Sequence, residues 1–183
     1  MKYNQEHINS INNLVDSKFV SHIGSIILDA IKKNNKILIC GNGGSAADSN
    51  HISAEFVGKF EKERSPINAL SLSSNIALIT AIGNDFGFKY IFSRQVEALG
   101  SNGDILIAIS TSGKSENIIK AINAALKLNL KVVFITGRKS FHTFNNDNLY
   151  RILIDSENTA TIQEAYMFLL HNLVRYIENK LDD

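Results

Sequence analysis

Apolar residues recur along this chain in two rhythms. Over 5–33 they fall at Ile8, Ile11, Val15, Phe19, Ile23, Ile27 and Ile31, in steps of three and four. That spacing keeps them on one side of a helix and predicts a single long amphipathic helix. Afterwards the rhythm changes to short continuous runs: KILIC (36–40), INALSLS (67–73), DILIAIS (104–110), KVVFIT (131–136) and YRILID (150–155). Helical patterns follow them at 45–59, 75–83, 88–99, 115–129 and 159–181. Unalternating apolar runs suit strands buried on both faces. Their alternation with helices predicts an α/β fold with a doubly wound, mostly parallel five-stranded sheet, helices on both faces and the long helix in front. No linker, low-complexity segment or repeat divides the chain, so one domain is expected over 1–183. Pro66 stands just ahead of the second run, where it interrupts no ladder.

Composition narrows the classes without naming a function. Hydrophobic residues make up 44% and charged residues 20%, ordinary values for a globular protein. Nineteen basic residues against eighteen acidic ones leave no bulk field to attract nucleic acid or an anionic membrane. A lone cysteine, Cys40, cannot form an internal disulfide. Nothing at the N-terminus has the pattern of a signal peptide, and the longest apolar runs are strand-sized. The expectation is a cytoplasmic protein with neither nucleic acid nor membrane among its partners.

In open α/β sheets ligands sit outside the carboxyl ends of the strands. The unusual residues gather there, at 41–45, 74–75, 110–115 and 137–138. GNGGSA (41–46) is a glycine-rich turn between a strand and a helix, an anion site because the first helical N–H groups lack backbone partners. Gly41, Gly43 and Ala46 match a dinucleotide fingerprint, but INALSLSSN offers no acidic residue to close the second strand. Gly113-Lys114-Ser115 resembles the end of a triphosphate-binding loop, yet Ala108 occupies the place of its first glycine. A phosphosugar suits the third reading. Ser110, Thr111, Ser112 and Ser115 place hydroxyls at a helix start, where they can donate to phosphate oxygens and the dipole favours negative charge. The alternative is that Ser115 only caps the helix, with Glu116 and Asn117 as ordinary first-turn residues.

The titratable groups form a second constellation. His51 and Glu55, four apart, share one helical face in SAADSNHISAEFVGKF. Gln163 and His171, eight apart on the last helix, lie within about 80° of each other around its axis. An imidazole beside a carboxylate suits zinc and also suits proton transfer. The plainer readings are a surface ion pair for His51–Glu55 and a core histidine for His171, which has Phe168, Leu169, Leu170, Leu173 and Val174 for company.

Four stretches together carry a resemblance: GNGGSAADSNHISAEFVGKF (41–60), LITAIGNDFGFKYIFSRQVEALG (78–100), GDILIAISTSGKSENIIKAI (103–122) and TATIQEAYMFLLH (159–171). In this order they resemble the sedoheptulose 7-phosphate isomerases (phosphoheptose isomerases) of the sugar-isomerase (SIS) domain superfamily. The resemblance implies an aldose–ketose isomerase that makes D-glycero-D-manno-heptose 7-phosphate through an enediol(ate), for surface-polysaccharide heptose. It implies substrate contacts at Asn42, Gly43, Gly44, Glu55, Asn84, Asp85 and Gln163, with Ser110, Thr111, Ser112 and Ser115 as the phosphate cradle. Glu55 corresponds to the catalytic base and His171 to the partner acid/base. His51, Glu55, Gln163 and His171 correspond to ligands of one Zn²⁺ per subunit. A homotetramer with active sites shared between subunits is implied as well, in which the helix of 1–34 packs on its own domain and on neighbouring subunits.

Two places depart from the family pattern. Thr161 stands where an arginine is common, and 138–149 (RKSFHTFNNDNL) lacks the usual paired glycines. The rival readings are a non-catalytic SIS-domain protein that binds a replication initiator, and a sugar-phosphate sensor or an isomerase acting on another ketose phosphate. The initiator-binding relatives lack the glutamate and histidine that this chain keeps as Glu55 and His171.

Overall fold

The five apolar runs become the five strands of one parallel sheet. The computed structural model describes residues 2–12, 14, 17–138 and 144–181. Its strands are β1 (Ile37–Cys40), β2 (Ala69–Ser71), β3 (Ile105–Ser110), β4 (Lys131–Gly137) and β5 (Leu149–Ile154), in the order β2-β1-β3-β4-β5. Every neighbouring pair is parallel, with Leu38 opposite Leu106 and Ile107 opposite Val133. β1 and β3 are buried along their whole length, which is why their sequences carry no alternation.

The helices are α1 (Lys2–Asn12), α2 (Ser17–Lys32), α3 (Gly44–Val57), α4 (Ile76–Asp85), α5 (Ser93–Leu99), α6 (Glu116–Lys127) and α7 (Thr159–Leu181). A 3₁₀ turn, Phe88–Tyr90, precedes α5 and breaks the helix expected over 88–99. On one face of the sheet Ile37, Ile39, Ile105, Ile107, Val133 and Ile135 pack with α3 and α7, and α2 closes over α7 through Ile23, Ile27 and Ala30. On the other face Leu38, Leu106, Val132 and Phe134 meet α5 and α6 through Val96, Ile118, Ala121 and Ile122. Among the described residues no helix is long and apolar enough to cross a membrane.

The front of the chain corrects an expectation. The single helix expected over 5–33 is two helices, because Leu14 turns inward. Its N–H bonds Ile11 O at 2.9 Å, a contact one residue shorter than the α-helical ladder, and its side chain joins the core. Asn13, Val15 and Asp16 lie outside the described residues, as do residues 139–143 within the glycine-poor segment. α1 is held to the body by Ser156 Oγ donating to Glu6 Oε1 at 2.6 Å and by a 2.9 Å His7–Glu164 contact.

Candidate active site

The strand order reverses between β1 and β3, so the loops that leave them diverge and open a crevice at the sheet's carboxyl edge. The glycine loop follows β1 and the serine-rich loop follows β3. Gly43 caps α3 with φ 57° and ψ −121°, a backbone that excludes side chains and lets the loop turn directly into the helix. Gly44 is glycine for another reason: a Cβ there would lie 2.5 Å from Gln163 Nε2, so α7 could not approach. A third loop joins this edge where Ser73 Oγ donates to Gly41 O at 3.2 Å.

In the serine-rich loop, Ser110 Oγ donates to Ser115 Oγ at 3.1 Å, and Ser112 Oγ accepts the Lys114 N–H at 3.2 Å. Ser115 is the N-cap residue of α6, yet its side chain makes no capping bond. The structure therefore removes the cap-only reading and leaves that hydroxyl turned to its neighbour in the loop. Gly137 at the end of β4 steadies the loop from behind, its N–H donating to Thr111 O at 3.0 Å.

α3 and α7 bring the titratable groups together. His51 Nε2 lies 3.1 Å from Glu55 Oε1, and the rings of His51 and His171 meet edge to face with centroids 5.2 Å apart. Phe60 stacks on His171 at 5.3 Å. Burial first, and then the neighbouring His51, hold the His171 imidazole below its ordinary pKa, against an opposing pull from Glu55. Neutral imidazole is the form that can accept a proton or ligate a metal.

Among the described residues no three His, Cys, Asp or Glu side chains converge as a metal-holding group. His51, Glu55 and His171 nevertheless adjoin, and Gln163 stands about two turns before His171 on α7 with its amide against Gly44. In kind, two imidazoles, a carboxylate and an amide oxygen fit zinc. Asn84 and Asp85 sit apart at the exposed end of α4, bonded to each other at 2.8 Å.

Three features escaped the sequence. Asn117, an ordinary first-turn residue by pattern, is buried and bonds Asn42 across the crevice. Tyr166, in the apolar stripe of α7, donates to Asp48 and shares a 2.9 Å hydrogen bond with Ser45, bracing the start of α3. Arg64 and Glu178, to which the sequence assigned no role, are a buried pair at the end of α3.

The SIS domain family model matches residues 2–137. Over 168 residues the chain is 41% identical to a phosphoheptose isomerase of Campylobacter concisus, covering 88% of each protein. Among solved structures, a phosphoheptose isomerase from Neisseria gonorrhoeae superposes with TM-score 0.89 at 35% identity, over 97% of this chain and 96% of that one. Another, from Francisella tularensis, does so with TM-score 0.91 at 33% identity, over 97% and 95%.

Proposed function

The chain belongs to the phosphoheptose isomerases of the SIS domain family, and from that membership we propose that it converts sedoheptulose 7-phosphate to D-glycero-D-manno-heptose 7-phosphate, for surface-polysaccharide heptose. The observation that carries the reading is the adjoining His51, Glu55 and His171 on helices that flank a crevice with a phosphate-suited loop on its other side. Ser110, Thr111, Ser112 and Ser115 take the phosphate at the start of α6, and Asn42, Gly43 and Gly44 line the sugar. Moving a carbonyl from C2 to C1 means taking a proton from C1, passing through an enediol(ate) and placing a proton on C2. Glu55 serves as the base at carbon, and His171 exchanges protons with the two oxygens. Incubation with a panel of ketose phosphates and isomer-resolved product analysis tests this. Heptose 7-phosphate should accumulate from the seven-carbon substrate, and no conversion of any ketose phosphate would defeat the enzyme reading.

We also assign zinc to His51, Glu55, Gln163 and His171. An ion there would polarise the carbonyl and hold the adjoining oxygens. Ligands that bind only the folded state stabilise it by about 2.7 kcal/mol at a hundredfold excess over Kd, or roughly 5–11 °C for a domain of this size. Zinc added to chelator-treated protein should raise the thermal midpoint by that order, and His51→Ala with Gln163→Ala should remove the rise. An unmoved midpoint in the wild type would reject the site.

The assembly proposed is a homotetramer whose active sites are completed by neighbouring subunits, with Asn84 and Asp85 reaching a neighbour's crevice. Its support is the surface of α4 and the 3₁₀ turn, where Ile76, Leu78, Phe86 and Phe88 are 74, 40, 50 and 61% exposed in the single chain. Light scattering should give four times the chain mass. A fully active monomer would contradict the shared site.

A further inference from the structure

Only one buried polar side chain outside the assigned residues bridges the two ligand loops among the described residues. Asn117, 3% exposed, exchanges two hydrogen bonds with Asn42: Asn42 Nδ2 donates to Asn117 Oδ1 at 2.9 Å, and Asn117 Nδ2 donates to Asn42 Oδ1 at 2.8 Å. Two bonds between planar amides fix separation and rotation together, which one bond cannot. The Asn117 oxygen also accepts the Ile118 N–H at 2.9 Å, locking the amide to the helix that begins at the cradle.

Each loop keeps its own shape by other means. The serine-rich loop has the Ser110–Ser115 bond, the Gly113 N–H on Ser110 O and the Gly137 N–H on Thr111 O. The glycine loop has the Ser45 N–H on Asn42 O at 3.0 Å and the Ser73 hydroxyl on Gly41 O. Breaking the amide pair therefore separates the loops without dismantling either one.

We infer that Asn117 is a positioning residue that sets, through Asn42, the distance between the phosphate cradle and the helix carrying Glu55. The inference rests on the reading that the two loops hold opposite ends of one sugar phosphate. The phosphate anchors one end of a flexible carbon chain, and the proton to be removed sits near the other end. α3 begins at the glycine loop, so a shift of that loop carries Glu55 with it. Misplacement by about 1 Å can cost about 10²-fold in rate.

A double-mutant cycle tests it with Asn117→Ala, Asn42→Ala and the double variant, using sedoheptulose 7-phosphate as substrate and inorganic phosphate as competitive inhibitor. Asn117→Ala should lower kcat/KM by about 10–100-fold, because the reacting ends lose their fixed spacing. Inhibition by inorganic phosphate should move by no more than about twofold, and Asn117→Ala should cost no more than about twofold when Asn42 is already alanine, the scatter expected of independent sites. Asn117→Asp keeps both acceptor roles but sets an oxygen against Asn42 Oδ1 and adds a buried charge beside the cradle, so it should lower kcat/KM at least as much as Asn117→Ala and, unlike it, weaken inhibition by inorganic phosphate. An equal cost of Asn117→Ala in both backgrounds would reduce the residue to bracing α6. A parallel loss of inorganic phosphate binding would place it in the cradle itself. Thermal midpoints of the same four proteins separate the two readings. Coupled midpoints without turnover would defeat the isomerase reading and keep the tie; turnover with additive midpoints and kinetics would defeat the tie.

Discussion

Glu55→Gln is expected to lower kcat by about 10²–10⁴-fold, the usual worth of a general base, with assembly and the thermal midpoint of the metal-free protein unchanged. The carboxylate projects from α3 with its oxygen 3.1 Å from His51 Nε2 and only 22% of the side chain exposed. The backbone beneath it does not depend on the carboxylate, since Glu55 O accepts from Arg64 Nη2 at 2.6 Å. Glutamine keeps the size and one acceptor oxygen while losing the basicity needed to take a proton from carbon. His171→Gln should also be severe. The double variant should lose far less than the product of the two losses, because both groups serve one proton-transfer sequence. Solvent deuterium incorporation into unreacted ketose gives a second view, and it should fall with kcat in Glu55→Gln. Near-native turnover in that variant would move the role of base to another residue.

Different parts of this molecule were legible in the sequence to different degrees, for physical reasons. The strands were clear because β1 and β3 meet core on both faces, so ILIC and ILIAIS carry no polar residue before Ser110 at the ligand edge. The split between α1 and α2 was hidden: Ile11 and Leu14 are apolar whether the chain runs on as helix or turns into the core. The apolar stretch of α4 looked like any core-facing helix. In this chain Ile82 is buried and Ile79 partly covered while Ile76 and Leu78 stay exposed, and a single-chain pattern cannot say that an apolar face is left open. In the site, the i,i+4 spacing of His51 and Glu55 gave their contact directly, since helix geometry settles it. The Asn42–Asn117 pair spans 75 positions and has no periodic signature; it exists because the loops after β1 and β3 flank the strand-order reversal.

The largest expected loss of stability comes from Glu178, and it bears on the site. Its carboxylate is 2% exposed and accepts the Phe60 and Glu61 N–H groups at 3.0 and 2.9 Å, the Lys62 N–H at 3.3 Å and Arg64 Nε at 3.1 Å. Arg64 in turn donates to Phe56 O at 2.8 Å and to Glu55 O, closing the end of α3. The pair thus fastens to α7 the turn that carries Phe60, the ring stacked on His171. Removing one partner of a buried ion pair typically costs about 3–5 kcal/mol, so Glu178→Ala should lower the thermal midpoint by roughly 6–20 °C. Replacing both charges with hydrophobic residues often restores a simple buried pair. Here Arg64→Met with Glu178→Leu should not, because three N–H groups and the carbonyls that end α3 would lose their partners together. Recovery in that double variant would show that only the charges mattered. Acid gives an independent check. Burial pushes the Glu178 pKa up, but the three N–H donors and Arg64 outweigh it and hold the group below the ordinary value of 4.5. A folded-state pKa below the unfolded one adds stability that is present above pH 4.5 and is lost as the pH falls through the lowered value. The stability gap between wild type and Glu178→Gln should therefore be constant near neutrality and narrow below pH 4.5, and a gap that widens in acid would overturn the assignment.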